Sequence, residues 1–213
     1  MTGRSIRWMV IAALALGVTS AAGAEETTAA LAIGKSAPKA DIKMTNVDGK
    51  SISIAEAKGP KGTLVVFTCN SCPYAQAWQS RIAELGNAYS KQGIGVIAIN
   101  ANDPGVKPED DMAGMKDRAK LLNLAFPYVM DATSDVARAF GATRTPEAFL
   151  FDAKGKLVYH GAIDDNGREP EKVTSRWLND ACAATVAGKA VAVQETKSIG
   201  CGIKFRAGKS SAS

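Results

Sequence analysis

Histidine is nearly missing from this 213-residue chain: His160 is the only one. Imidazole-rich zinc sites are thereby excluded, and of the four cysteines only Cys69 and Cys72 are closely spaced, so no second ligand pair completes a tetrahedral site. An excess of one charge is lacking too. The 26 Lys and Arg against 21 Asp and Glu give a formal charge of +5, spread along the chain with no basic cluster and no interleaved aromatic stripe. Nucleic acid is therefore not an expected partner. Internal repeats are absent, and no apolar run reaches the roughly 20 residues that a membrane span needs.

What the N-terminus does carry is Arg4 and Arg7, then an uncharged stretch from Trp8 to Ala24 whose apolar heart is WMVIAALALGV. It ends in Ala22-Gly23-Ala24, an A-x-A-like cleavage site, so residues 1–24 read as a signal peptide and the mature chain as periplasmic or secreted. No stable membrane anchor is expected after cleavage. Losing both arginines lowers the charge to about +3. Residues 25–33 read as a flexible lead-in, 34–195 as one domain and 196–213 as an irregular C-terminal tail.

Within the domain, residues 40–54 read as a hairpin turning at Asp48-Gly49, and Leu64 to Thr68 as a strand buried on both faces. Ala75, Trp78, Ile82, Leu85 and Tyr89 fall on one helical face, and the strand Ile94 to Asn100 follows. Strand, helix, strand at this spacing implies a parallel pair. A helix over 109–124, a strand Tyr128 to Met130, a helix Ser134 to Phe140, strands at Ala148 to Phe151 and Leu157 to Ile163, and a helix over 170–187 complete the reading. The fold class is α/β with a mixed central sheet.

The chemistry concentrates in VVFTCNSCPY, residues 65–74. Proline is tolerated in the first helical turn, so Pro73 places the helix start nearby, with Cys69 and Cys72 both expected in that turn. Unpaired N–H groups and the helix dipole stabilise a thiolate there. Cys69, expected at the helix mouth, is read as the attacking sulfur and Cys72 as the resolving one. A purely structural disulfide over so short a loop would restrict the unfolded chain little.

With the Arg144-Thr145-Pro146-Glu147 stretch added, the sequence resembles the thioredoxin superfamily, in its redoxin, peroxiredoxin-like branch, over roughly residues 34–203. The resemblance implies a thioredoxin-like fold with helices on both faces and an N-terminal β-hairpin. It also implies a cis proline at Pro146, with Thr145 facing the cysteines and binding an extended substrate segment by strand addition. Two departures stand out. The position of the thioredoxins' buried acid is Thr63, so proton transfer from the resolving thiol would use another base, water or a different acid such as Glu56, and that of the tryptophan before the first cysteine is Thr68. The P-x-x-x-T-x-x-C pattern of peroxiredoxins fits neither cysteine, since Gly62 and Val66 precede Cys69 and Val65 and Cys69 precede Cys72.

Other side chains are weighed on their chemistry. Arg144 adjoins the Thr-Pro pair and is a candidate for lowering a thiol pKa. Cys182 reads as a small buried hydrophobe, while Cys201, between Gly200 and Gly202, is a free thiol, a partner of Cys182 or a third redox cysteine. The leading expectation is an exported thiol–disulfide oxidoreductase acting on protein thiols and disulfides, with an upstream redox partner and no cofactor. Its rivals are a copper-binding assembly factor using Cys69, Cys72 and His160 with soft help from Met112 and Met115, a peroxiredoxin-like antioxidant, and a binding module that keeps only the fold.

Overall fold

The structure is a computed structural model that describes Met1 and residues 29–207. The expected signal peptide beyond Met1, the start of the lead-in and the last six residues lie outside the described residues. Among those described, no helix is long and apolar enough to cross a membrane.

The hairpin forms as read, from β1 (Met44–Asn46) and β2 (Ser51–Ile52), with Gly49 at φ +85 in the turn. β3 (Gly62–Phe67) and β4 (Ile94–Asn100) pair in parallel around α1 (Pro73–Ser90). Beyond them come α2 (Met112–Leu121), β5 (Tyr128–Met130), α3 (Asp135–Phe140), the two-residue β6 (Arg144–Thr145), β7 (Glu147–Asp152), β8 (Leu157–Gly161), α4 (Trp177–Val186) and β9 (Cys201–Gly202). Seven strands make one mixed sheet in the order β2-β1-β5-β4-β3-β7-β8, while β6 and β9 pair separately.

Strand alternation sends side chains to opposite faces, and both faces are covered. Leu64, Val66, Val96 and Leu150 pack with Trp78, Ile82 and Tyr89 of α1 and Leu178 of α4. Val65, Phe67, Ile97, Ile99 and Phe149 pack with Val136 and Phe140 of α3 on the other side. There Phe67, Phe140 and Phe149 form an edge-to-face trio with centroids 5.2 to 5.7 Å apart, a geometry that suits the aromatic quadrupole. The central strands end at the cysteines, so this two-sided core fixes the site.

Three expected helices are shorter than read. The 109–124 segment opens with a 3-10 turn, Pro108–Asp110, before α2 begins behind an Asp111 cap whose carboxylate accepts the Gly114 N–H. The last helix begins at Trp177 rather than 170, because the Asp165 carboxylate takes the N–H groups of Thr174 and Ser175 and holds that segment out of helix. In α3 the expected first residue, Ser134, is instead a left-handed N-cap at φ 59.

The lead-in and the tail are both bound to the domain. Leu31 donates its N–H to Phe140, and Leu31 and Ile33 pack on the α3 face, so this part of the lead-in is ordered. In the tail, Ile203 is buried and donates to Thr143, Lys204 donates to Asn102, and Arg206 donates to the Ser134 hydroxyl.

Candidate active site

Helix α1 begins at Pro73, with Cys72 as its N-cap (φ −79, ψ 122) and Cys69 in the loop before it. This corrects the expectation that both cysteines lie in the first turn. A proline disfavours helical geometry in the residue before it, so the helix cannot start earlier than Pro73. The sulfur at the helix mouth is therefore that of Cys72.

The Cys201 N–H donates to that sulfur at 3.4 Å, and the Cys69 and Cys201 thiols and the Ala75 N–H also favour its charged form. Its Cys69 hydrogen bond, aided by the others and opposed by burial, brings the Cys72 pKa down to about 4. When protonated, Cys72 donates to the Thr145 carbonyl at 3.2 Å. Cys69 moves the other way. Its hydrogen bond to Cys72, then burial, then the negative Asp110 hold its pKa above the ordinary thiol range. The two shifts run in opposite directions, Cys72 down and Cys69 up, where the sequence reading lowers Cys69.

Thr145 touches both sulfurs, because its hydroxyl lies 3.2 Å from Cys69 Sγ while its carbonyl faces Cys72. The Thr145–Pro146 bond is cis. Behind this loop, the Glu147 carboxylate accepts the N–H groups of Thr143 and Arg144 at 2.9 Å each and meets His160 Nε2 at 2.7 Å. Glu147 was not singled out from sequence.

The buried acid of the site is Asp110. It is fully buried and accepts from the Asn70 N–H at 2.6 Å, the Ser71 N–H at 3.2 Å, the Ser71 hydroxyl at 2.6 Å and the Asn102 amide at 2.7 Å. These bonds pin the two residues between the cysteines. Glu56, the substitute acid of the sequence reading, is instead exposed, paired with Lys43 and bonded to Ser53. Asp110 escaped notice inside the acidic run Glu109 to Asp111, which reads as helix-start charge.

Several other candidates resolve on geometry. Arg144 is exposed and donates to the Gly200 carbonyl at 3.1 Å, so it ties down the tail, and the groups that most shift either thiol are others. His160 is engaged by Glu147 and stacks on Phe149 at 4.4 Å, and Met115 is fully buried in the core, so the copper ligand set is not brought together. Among the described residues, no cluster of three His, Cys, Asp or Glu could hold a metal. Cys182 is fully buried between α4 and the sheet, where burial raises its pKa, while Cys201 lies with Cys69 and Cys72.

One expectation meets an obstacle. The edge beside Pro146, reserved for an extended substrate segment, is occupied by the chain itself, with Thr145 opposite Cys201 and Arg144 opposite Gly202.

The fold and the sulfur cluster define a thioredoxin-like thiol–disulfide oxidoreductase. A thioredoxin-like protein solved in solution in its oxidised form superposes with TM-score 0.59 over 73% of this chain and 97% of its own, at 20% identity, a likeness of fold. The family model described as AhpC/TSA matches residues 33–160, more than half of the sequence, and the chain belongs to that family. Among its relatives, the thiol-disulfide oxidoreductase ResA of Geobacillus thermodenitrificans is 29% identical over 143 residues, covering 67% of this chain and 76% of ResA. A hypothetical protein from Sinorhizobium meliloti has TM-score 0.78 at 35% identity, covering 84% of this chain and 98% of its own.

Proposed function

We propose that this chain is an exported thiol–disulfide oxidoreductase whose Cys69 and Cys72 cycle between dithiol and disulfide in exchange with protein thiols. The observation that carries the reading is the Cys72 sulfur at the α1 N-cap, held beside Cys69 and against Thr145. Export rests on the arginines, apolar run and small-residue triplet of residues 4–24. The name of the ResA relatives agrees with the activity.

In the reducing direction, the Cys72 thiolate attacks one sulfur of a disulfide presented to it. That bond breaks, its second sulfur leaves as a thiolate, and a mixed disulfide forms on Cys72. Cys69 then gives up its proton to the departing thiolate and attacks Cys72, which releases the remaining sulfur and leaves Cys69–Cys72 oxidised. An upstream dithiol of the same compartment returns the two electrons. Oxidation of a partner dithiol runs the same steps backwards. Thr145 fixes the two sulfurs relative to each other throughout.

The test is turnover. With dithiothreitol as reductant and insulin as protein disulfide, the mature chain should accelerate reduction, and a Cys69→Ser/Cys72→Ser double variant should fall to the uncatalysed rate. Retained activity in a folded double variant would remove the reading.

A further inference from the structure

The pair that is to exchange electrons is covered, since Cys69 and Cys72 are only 5% and 3% exposed. What covers it is the chain's own C-terminal segment. β9 runs antiparallel to β6 with Cys201 directly opposite Thr145. This approach needs a residue without a side chain next to Cys201, because a Cβ on Gly200 would lie 2.1 Å from the Thr145 carbonyl oxygen. The segment is fixed from both sides, by Arg144 on Gly200 and by Ile203 and Lys204 on Thr143 and Asn102. A partner strand cannot pair with Thr145 while this one is in place.

Cys201 is the least buried of the three cysteines. Its N–H donates to Cys72 Sγ at 3.4 Å, and its side chain packs against the Cys69, Cys72 and Ala75 cluster. Ala75 matters here. It lies one turn beyond Cys72 on α1 and carries no sulfur, so every sulfur that can reach Cys72 comes from outside the helix.

We infer that Cys201 is a catalytic port: the sulfur that meets the partner and passes the disulfide to Cys72, which passes it on to Cys69. The inference rests on the exchange reading above for the Cys69–Cys72 cycle, and replaces its direct attack by Cys72 on the partner with a relay through Cys201. Reducing a partner disulfide, Cys201 gives its thiol proton to solvent and attacks one partner sulfur. The partner bond breaks, and its second sulfur leaves as a thiolate that is reprotonated from solvent. Cys72 attacks Cys201 Sγ, the first partner sulfur leaves, and Cys72–Cys201 is formed. The partner has gained two electrons and the enzyme has lost two. Cys69, yielding its proton to solvent, then attacks Cys72, Cys201 leaves as a thiolate that is reprotonated, and the disulfide ends between Cys69 and Cys72. The segment stays seated throughout, and the buried pair never meets the partner.

The experiment uses the reduced mature chain and oxidised glutathione, with acid quenching, alkylation and tryptic mapping over time. Cys69 and Cys72 share the peptide 62–81, while Cys201 lies on 198–204. A transient link between those peptides is expected, persisting in Cys69→Ser, where only Cys72 can supply it. Glutathione should remain on Cys201 in Cys72→Ser, and oxidation of the 62–81 peptide should slow at least about tenfold in both Cys201→Ser and Cys201→Ala. Circular dichroism unchanged from wild type in either variant shows that the loss is not one of packing. The inference is overturned if 62–81 closes on itself at the wild-type rate in Cys201→Ser, with no link to 198–204 in any variant. That outcome leaves the exchange reading standing, whereas failure of 62–81 to oxidise at all removes both.

Discussion

Cys72→Ser is expected to stop disulfide exchange, with turnover at pH 7 falling at least ~30-fold. The figure comes from ionisation alone. An ordinary thiol with pKa about 8.5 is roughly 3% thiolate at pH 7, whereas a sulfur titrating near 4 is almost wholly ionised. A low-pKa thiolate is intrinsically a weaker nucleophile, but it leaves more readily, and a central sulfur must do both. Cys72 also packs in one cluster with Cys69 and Cys201 and accepts the Cys201 N–H. Cys69→Ser should differ in kind, still accepting one disulfide equivalent at Cys72. Insulin reduction under the same dithiol, read as initial rate and burst amplitude, separates the two. A Cys72→Ser variant within about twofold of wild type contradicts the assignment.

The second large effect lies away from sulfur. Asp110→Ala is expected to lower the unfolding free energy by about 3 kcal/mol or more, because it strands several buried donors at once and each unmatched group costs about 1–3 kcal/mol. The stranded groups include the Asn70 and Ser71 N–H groups, which hold the turn between the cysteines. For a chain of this size that corresponds to a melting temperature lower by roughly 6–12 °C. Removing the carboxylate also removes the negative charge that helps hold the Cys69 pKa up, so that pKa should fall. Calorimetry decides the stability claim, and a shift under about 2 °C would contradict it.

The parts legible in sequence were those where one physical demand dominates. β3 and β4 are buried on both faces, so their residues read as unbroken apolar runs, and β4 and β5 were found to the residue. The turn at Asp48-Gly49 carries its own chemistry. Less legible were boundaries set by a distant side chain, such as the start of α4, which depends on Asp165. The local pattern around Val173 gives no sign of that.

At the site, the cysteine pair and Thr145 were readable because their residue types and spacing are unusual. Which sulfur caps the helix was not, since it turns on whether the helix opens three residues earlier or later. Pro73 carried the answer through its restriction of Cys72, a constraint that the sequence reading applied only to the proline itself. Asp110 lies 40 residues from Asn70 and reaches it only through the fold. The tail is a similar case. Gly200, Cys201 and Gly202 look like irregular chain until the pairing with Arg144 and Thr145 is seen.

The most direct measurement is thiolate ultraviolet absorbance of the fully reduced mature chain, titrated from about pH 8 down to about pH 3, with Cys72→Ser as reference. Because the Cys72 pKa is depressed, its anion is present throughout the neutral range and is lost only as the pH falls through the folded value. The account predicts one thiolate equivalent at pH 7 that disappears with a midpoint near about 4 and is absent at pH 7 from Cys72→Ser. A midpoint close to the ordinary thiol value of about 8.5, or an equal signal in Cys72→Ser, would contradict it.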